Sequence, residues 1–145
     1  MIYLDSGYIL KCYLNEIGTA AVLQLVQTNR GRASAAHARA EVWCGIHRRV
    51  REGDLSSRQA QTVWRHFERD ERQGLWHWLP LELDVVRRAC IIVEQLPSNQ
   101  FLRSSDALHL ACAAENGFSD IYSNDKNLLN AARFFGLNPK NVVKK

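Results

Sequence analysis

The chain has 145 residues and four cysteines, but no Cys-x-x-Cys pair, so neither a zinc ribbon nor a dithiol redox motif is indicated. Cys12, Cys44, Cys90 and Cys112 lie far apart in apolar, helix-like runs and read as buried thiols of a reducing cytosol. Two pairs, Cys44/His47 and His109/Cys112, have a helical spacing that could orient zinc ligands, but core residues fall at that spacing by default. A P-loop, a Gly-x-Gly-x-x-Gly fingerprint and a Gly-x-Ser-x-Gly elbow are all missing, which leaves mononucleotide-, dinucleotide- and serine-based chemistries little to stand on. No apolar run approaches membrane-spanning length, and no basic leader precedes the strand-like Met1-Ile2-Tyr3-Leu4. These absences predict a cytoplasmic protein with no membrane role. Repeats, low-complexity tracts and linkers are lacking too, so one domain over residues 1–145 is expected.

What is present is ordinary in bulk. A hydrophobic content of 46% and a charged content of 23% suit a globular domain. A chain of this size can bury about 70% of the surface its unfolded form exposes. Nineteen basic against 15 acidic residues leave a net charge of +4, a mild lean towards polyanions that a solvated surface explains equally well.

Strand-like and helix-like segments alternate, which predicts an α/β fold with a parallel sheet. Strands are expected at Ile2–Leu4, Ala33–Ala36, Leu75–Leu79 and Ile121–Ser123, with a last one at Val142-Val143. Helices are expected over Gly7–Leu14, Thr19–Thr28, Ala38–Arg51, Ser57–Gln73, Val85–Leu96, Ser105–Asn116 and Lys126–Phe135, several closed by glycine or proline.

Four acidic positions stand out against apolar or small neighbours, where a lone charge is costly to bury. Asp5 and Asp125 each follow a short apolar run and precede a helix, at the edge where open α/β sheets place their chemistry. Asp106 lies in the first turn of its helix. Taken singly, these three are satisfied as helix caps or dipole partners. Glu41 is different: it sits inside a helix among Ala38, Cys44 and Gly45, with His37 one turn back. Brought together, the four would repel unless protons or a cation relieved them. Oxygen ligands of this kind suit Mg²⁺ or Mn²⁺, whose chemistry includes activating water towards phosphorus and neutralising charge on phosphoryl oxygens.

The helix from Ser57 has two faces. Ala60, Val63, Trp64 and Phe67 fall on one, and Arg58, Arg65, Arg69 and Arg72 on the other. The arginines form either a solvated face, partly neutralised by Glu68, or a stripe facing RNA phosphates or a partner. Trp43, Val63, Trp64 and Phe67 are a heavy apolar load for two neighbouring helices. Val63 and Phe67 are expected in the core, and an aromatic surface beside arginines is what interface centres favour.

The four acidic segments, in their order and separations, resemble the PIN-domain family, and within it the short VapC-type toxins of toxin–antitoxin pairs. Tyr3-Leu4-Asp5-Ser6 resembles the family's first strand and first acidic residue. Ser34 with Ala40-Glu41 resembles the second, Asp106-Ala107-Leu108-His109-Leu110-Ala111 the third, and Ser123-Asn124-Asp125 the fourth. The resemblance implies a single PIN-like domain with a parallel sheet of about five strands flanked by helices. It implies a Mg²⁺- or Mn²⁺-dependent endoribonuclease, a homodimer, an RNA substrate and a small cognate antitoxin. On that reading Asp5 and Asp106 are the principal metal ligands, Glu41 and Asp125 complete the acidic pocket, and Ser6 and Ser123 orient water or phosphate. Two alternatives stay open: a PIN nuclease that processes RNA without an antitoxin, and a non-catalytic nucleic-acid-binding module.

Overall fold

In the computed structural model, which describes residues 1–144, the first strand shows how the architecture is built. Lys145, the final residue of the expected domain, lies outside the described residues. Strand β1 (Ile2–Tyr3) and the following Leu4 are buried on both sides. Because successive side chains of a strand point to opposite faces, Ile2 and Leu4 enter one apolar cluster and Tyr3 the other.

Strand β2 (Arg32–Ala35) pairs in parallel with β1, and β3 (Trp76–Leu79) pairs in parallel with β2. On the other side, β4 (Asp120–Tyr122) pairs with β5 (Asn138–Lys140). A parallel bridge from Leu4 to Tyr122 joins the two groups. The resulting five-strand order is β3-β2-β1-β4-β5, and it matches the expected parallel sheet. The chain order reverses between β1 and β4. That is a topological switch point, where the carboxyl ends of adjacent strands open a crevice.

Helices cover both faces. Helices α1 (Ser6–Tyr13), α2 (Thr19–Gln27), α3 (Ala38–Arg51) and α4 (Ser57–Arg72) cover the face carrying Ile2, Leu4 and Trp76. Helices α5 (Leu83–Gln95), α6 (Ser104–Glu115) and α7 (Lys126–Ala131) cover the face carrying Tyr3, Ala35 and Ile121. Helix α6 is buried on most sides, through Ala107, His109, Leu110, Ala111, Cys112 and Ala113. Its composition of small and apolar residues is that of a helix packed between other elements. Where α3 crosses α1, Gly45 leaves room for Leu10: a Cβ at Gly45 would stand 2.7 Å from Leu10 Cδ1.

Several expectations need correction. The last strand is Asn138–Lys140, not Val142-Val143. Pro139 cannot donate to a ladder, but at the sheet edge it has no neighbour to donate to. Val142 and Val143 instead pack on the α1 side, where the Val142 amide donates to Tyr8 Oη at 2.8 Å. The helix from Lys126 stops at Ala131 and tightens into a 3₁₀ turn over Ala132–Phe135. Of the cysteines expected to be buried, only Cys112 is; Cys12 is half-buried, and Cys44 and Cys90 are exposed. Among the described residues no helix is long and apolar enough to cross a membrane.

Candidate active site

The switch point gathers the acidic residues. Asp5 leaves β1 as the N-cap of α1: its Oδ1 accepts from the Tyr8 amide at 3.0 Å. Asp125 leaves β4 as the N-cap of α7, with Oδ1 accepting from the Leu128 amide at 3.0 Å. Capping uses one carboxylate oxygen in each case, and the other turns to the crevice. Asp5 Oδ2 accepts from the Ser123 hydroxyl, and Asp125 Oδ2 lies 3.4 Å from Arg103 Nη2. Ser123 Oγ also accepts from the Asp125 amide at 2.9 Å, so this serine ties the two carboxylate segments together. The helix-cap and functional readings of Asp5 and Asp125 are therefore compatible.

Asp106 is in the first turn of α6 and makes no capping bond there; its partner is Arg103, at 3.5 Å. That arginine side chain is 81% exposed and spans Asp106 and Asp125, both at ion-pair distances too long for strong hydrogen bonds. Ser6, the first residue of α1, makes no side-chain hydrogen bond among the described residues. Behind it, Gly7 keeps the crevice clear: a Cβ there would lie 3.4 Å from Asn124 Oδ1 and 3.5 Å from Asp5 Oδ1.

The electrostatics match a shared pocket. Burial pushes the Asp5 carboxyl up to about 6, opposed by the Ser123 and Tyr8 hydrogen bonds and reinforced by the charge of Asp106. Burial also raises Asp106, and the charges of Asp125 and Glu41 add to it. Asp5 and Asp106 thus each feel another carboxylate of the set, opposed by His109 and, at Asp106, by the exposed Arg103. This is the repulsion that a divalent ion relieves, and the donors are hard oxygens. The carboxylate oxygens are of the kind that an oxygen-preferring cation takes.

Glu41 takes a different position. It lies in the first turn of α3 with both oxygens engaged. Ser105 Oγ donates to Oε2 at 2.7 Å, and His109 Nε2 lies 2.6 Å from Oε1. His37 Nε2 lies 3.1 Å from the Ser105 carbonyl and 3.4 Å from Glu41 Oε1. Burial works to raise the Glu41 carboxyl, but the His109 and Ser105 hydrogen bonds and the nearby imidazoles outweigh it and hold it below the usual range. Among the described residues, His37, Glu41 and His109 form the one set of three whose ligand atoms all lie within 4.8 Å. Two nitrogens and one oxygen would suit zinc better than magnesium, but hydrogen bonds already occupy the facing atoms.

Two participants were not expected from sequence. Arg103 had no signal beyond its place ahead of α6. His109 stands within the Asp106 segment, one turn from Asp106 on the same helix, where its spacing from Cys112 suggests only a zinc pair. Its partners Tyr3 and Glu41 are 106 and 68 residues away in sequence.

Arg58, Arg65, Arg69 and Arg72 are all exposed along α4, and among the described residues no carboxylate lies within ion-pair distance of them. The expected neutralisation by Glu68 is not seen. The other α4 acids face inward: Asp70 accepts from Tyr13 Oη at 2.6 Å, and Glu71 pairs with Arg39 at 2.9 Å. Phe67 is fully buried as expected, while Trp43, Val63 and Trp64 are half-buried. Trp43 and Trp64 stack at 6.1 Å, and Arg39 lies over Trp43.

Comparison with known proteins points the same way. The PIN domain family model matches residues 2–134. The structure resembles VapC20 of Mycobacterium tuberculosis, a sarcin-ricin loop cleaving toxin, with a TM-score of 0.71 and 16% identity over 96% of this chain and 100% of the other. It resembles VapBC2 of Rickettsia felis, solved bound to a DNA fragment from its promoter (TM-score 0.68, 15% identity, 97% and 98% covered). FitAcB of Neisseria gonorrhoeae is a third (TM-score 0.72, 16% identity, 96% and 96% covered). At these identities the likeness is one of fold. No curated protein matches the sequence at a significant level.

Proposed function

The chain belongs to the PIN domain family, and from that premise we propose that it is a divalent-metal-dependent endoribonuclease acting as the toxin of a toxin–antitoxin pair. The observation that carries the reading is the convergence of Asp5, Asp106 and Asp125 at the switch point between β1 and β4, linked through Ser123 and Arg103, with burial and neighbouring carboxylate charge raising Asp5 and Asp106. Asp5 and Asp106 would hold Mg²⁺ or Mn²⁺. When bound, the ion polarises water and neutralises charge on phosphoryl oxygens. Ser123 holds Asp5 in place and fixes the turn into Asp125, and Asp125 keeps the far wall of the crevice acidic. Ser6, next to Asp5 at the start of α1, is assigned to orienting phosphate. The exposed arginines of α4 are assigned to RNA phosphates, for which unpaired guanidinium groups are suited.

The toxin assignment rests on the fold shared with VapC20 and VapBC2. It carries with it a small cognate antitoxin and a homodimer, formed by one nuclease domain over residues 1–145. The half-buried Trp43 and Trp64, with Arg39 alongside, offer that antitoxin an apolar face between α3 and α4. The decisive variant is Asp106→Asn, which keeps the side-chain shape and removes charge from the pocket. Cleavage of RNA is expected to fall by at least about a hundredfold with the circular dichroism spectrum and melting temperature preserved. Cleavage at the wild-type rate by a folded Asp106→Asn protein removes Asp106 from the site.

A further inference from the structure

We propose that His109, backed by Tyr3, is a positioning residue that locks the Glu41 carboxylate at the wall of the pocket. The inference rests on the metal-dependent nuclease reading.

Hydrogen-bond accounting carries it. The buried Tyr3 hydroxyl accepts from the Ala35 amide at 3.0 Å and lies 2.8 Å from His109 Nδ1. Glu41 Oε1, a carboxylate oxygen, can only accept, so at 2.6 Å it faces a proton carried by Nε2. In the neutral ring Nδ1 is then the acceptor that faces the Tyr3 hydroxyl. His109 is fully buried, Tyr3 meets it edge-on at a ring separation of 5.9 Å, and His37 packs on its other side at 4.3 Å. Ser105 secures the second oxygen of Glu41 from the same helix that carries Asp106.

Glu41 is thus held by a partner on each oxygen, as Asp5 is by the Tyr8 amide and Ser123. A carboxylate held in this way keeps further lone pairs for a water in the pocket. It can hold a water beside the phosphate and orient it, a task that depends on a fixed geometry more than on charge alone. Losses from removing such supporting hydrogen bonds are commonly about 10- to 100-fold.

The test separates ion binding from turnover. Mn²⁺ affinity, measured by electron paramagnetic resonance without RNA, should fall by more than about tenfold in Asp106→Asn. It should stay within about threefold of wild type in His109→Leu and Tyr3→Phe. In single-turnover RNA cleavage at saturating Mn²⁺, His109→Leu should lose about 10- to 100-fold in rate with KM little changed. His109→Gln, whose amide can still donate to Glu41, should recover most of it, and Tyr3→Phe should fall between. If His109→Leu does not fold, Tyr3→Phe and His109→Gln still decide the matter. A second readout is independent of any nuclease activity: the nitrogen NMR shifts of His109 should report the Nε2–H tautomer, with its proton shifted upfield in Glu41→Gln. A protein that never cleaves RNA but shows that tautomer contradicts the nuclease reading while leaving the geometry of the lock intact. Mn²⁺ affinity lost equally in His109→Leu and Asp106→Asn, wild-type cleavage by His109→Leu, or the Nδ1–H tautomer would overturn the proposal.

Discussion

At the scale of single residues, Asp5 shows how a cap becomes a site. Its position before α1 would be filled as well by asparagine or serine, since either can accept from the Tyr8 amide. Charge is what distinguishes aspartate, and here charge is unfavourable without an ion. Burial lifts the folded-state value to about 6 from the ordinary 3.8. Between those values the folded protein holds a proton that the unfolded chain has released, so stability falls as pH rises through that window. The metal-free loss amounts to about 3 kcal/mol above it. Metal-free Asp5→Asn should therefore be more stable than wild type above about pH 6, and the gap should vanish below about pH 4. Saturating Mg²⁺ should narrow it by stabilising the wild type alone. Urea melts of the two proteins across that pH range read the difference directly, and a gap independent of pH would mean that Asp5 is not a buried charge. The same residue shows what sequence can carry: a carboxylate between an apolar strand and a helix is visible in five letters. His109 and Arg103 were not visible in that way. Their roles depend on partners that meet them only after folding.

At the scale of elements, α4 divides its work by face. Phe67 is enclosed by Tyr13, Trp43, Trp76 and Trp78, while Arg58, Arg65, Arg69 and Arg72 stand in solvent. The capping box that starts the helix, Ser56 with Gln59, fixes its first turn. If the arginines meet RNA phosphates, Arg65→Gln with Arg69→Gln should weaken binding across RNA sequences. The slope of log affinity against log salt should flatten by roughly 1.4, the amount expected for two phosphate contacts on a single strand. An unchanged slope in a filter-binding series assigns the stripe to solvation alone. Helix α4 was readable because a 3.6-residue period persists over its whole length. The end of the chain was not. Val142-Val143 has the β-branched character of a strand, whereas Asn138–Lys140 contains a proline, which lacks a ladder donor. Pairing with β4 at an edge, where the missing donor is tolerated, overrode local preference. Likewise, the helical pattern from Lys126 gave no sign of the 3₁₀ turn that begins at Ala132.

At the scale of the whole molecule, the reversal of strand order between β1 and β4 does the assembling. It brings residue 5 beside residues 123 and 125, and the packing of α3 and α6 on β2 brings Glu41 up to Ser105 and His109. Alternating strand and helix patterns predicted a parallel sheet, but strand order is set by long-range pairing that local pattern does not encode. Because the ordering of the sheet and the four acidic segments agree, the pocket's chemistry is the claim most worth testing. The direct measurement is RNA cleavage by the purified protein with and without divalent cation. The expected result is cleavage with Mg²⁺ or Mn²⁺, loss of at least about a hundredfold after EDTA, recovery on adding the ion back, and none in Asp106→Asn. Cleavage that persists through exhaustive chelation, in preparations where Asp106→Asn is equally active, would contradict a metal-dependent site at these carboxylates.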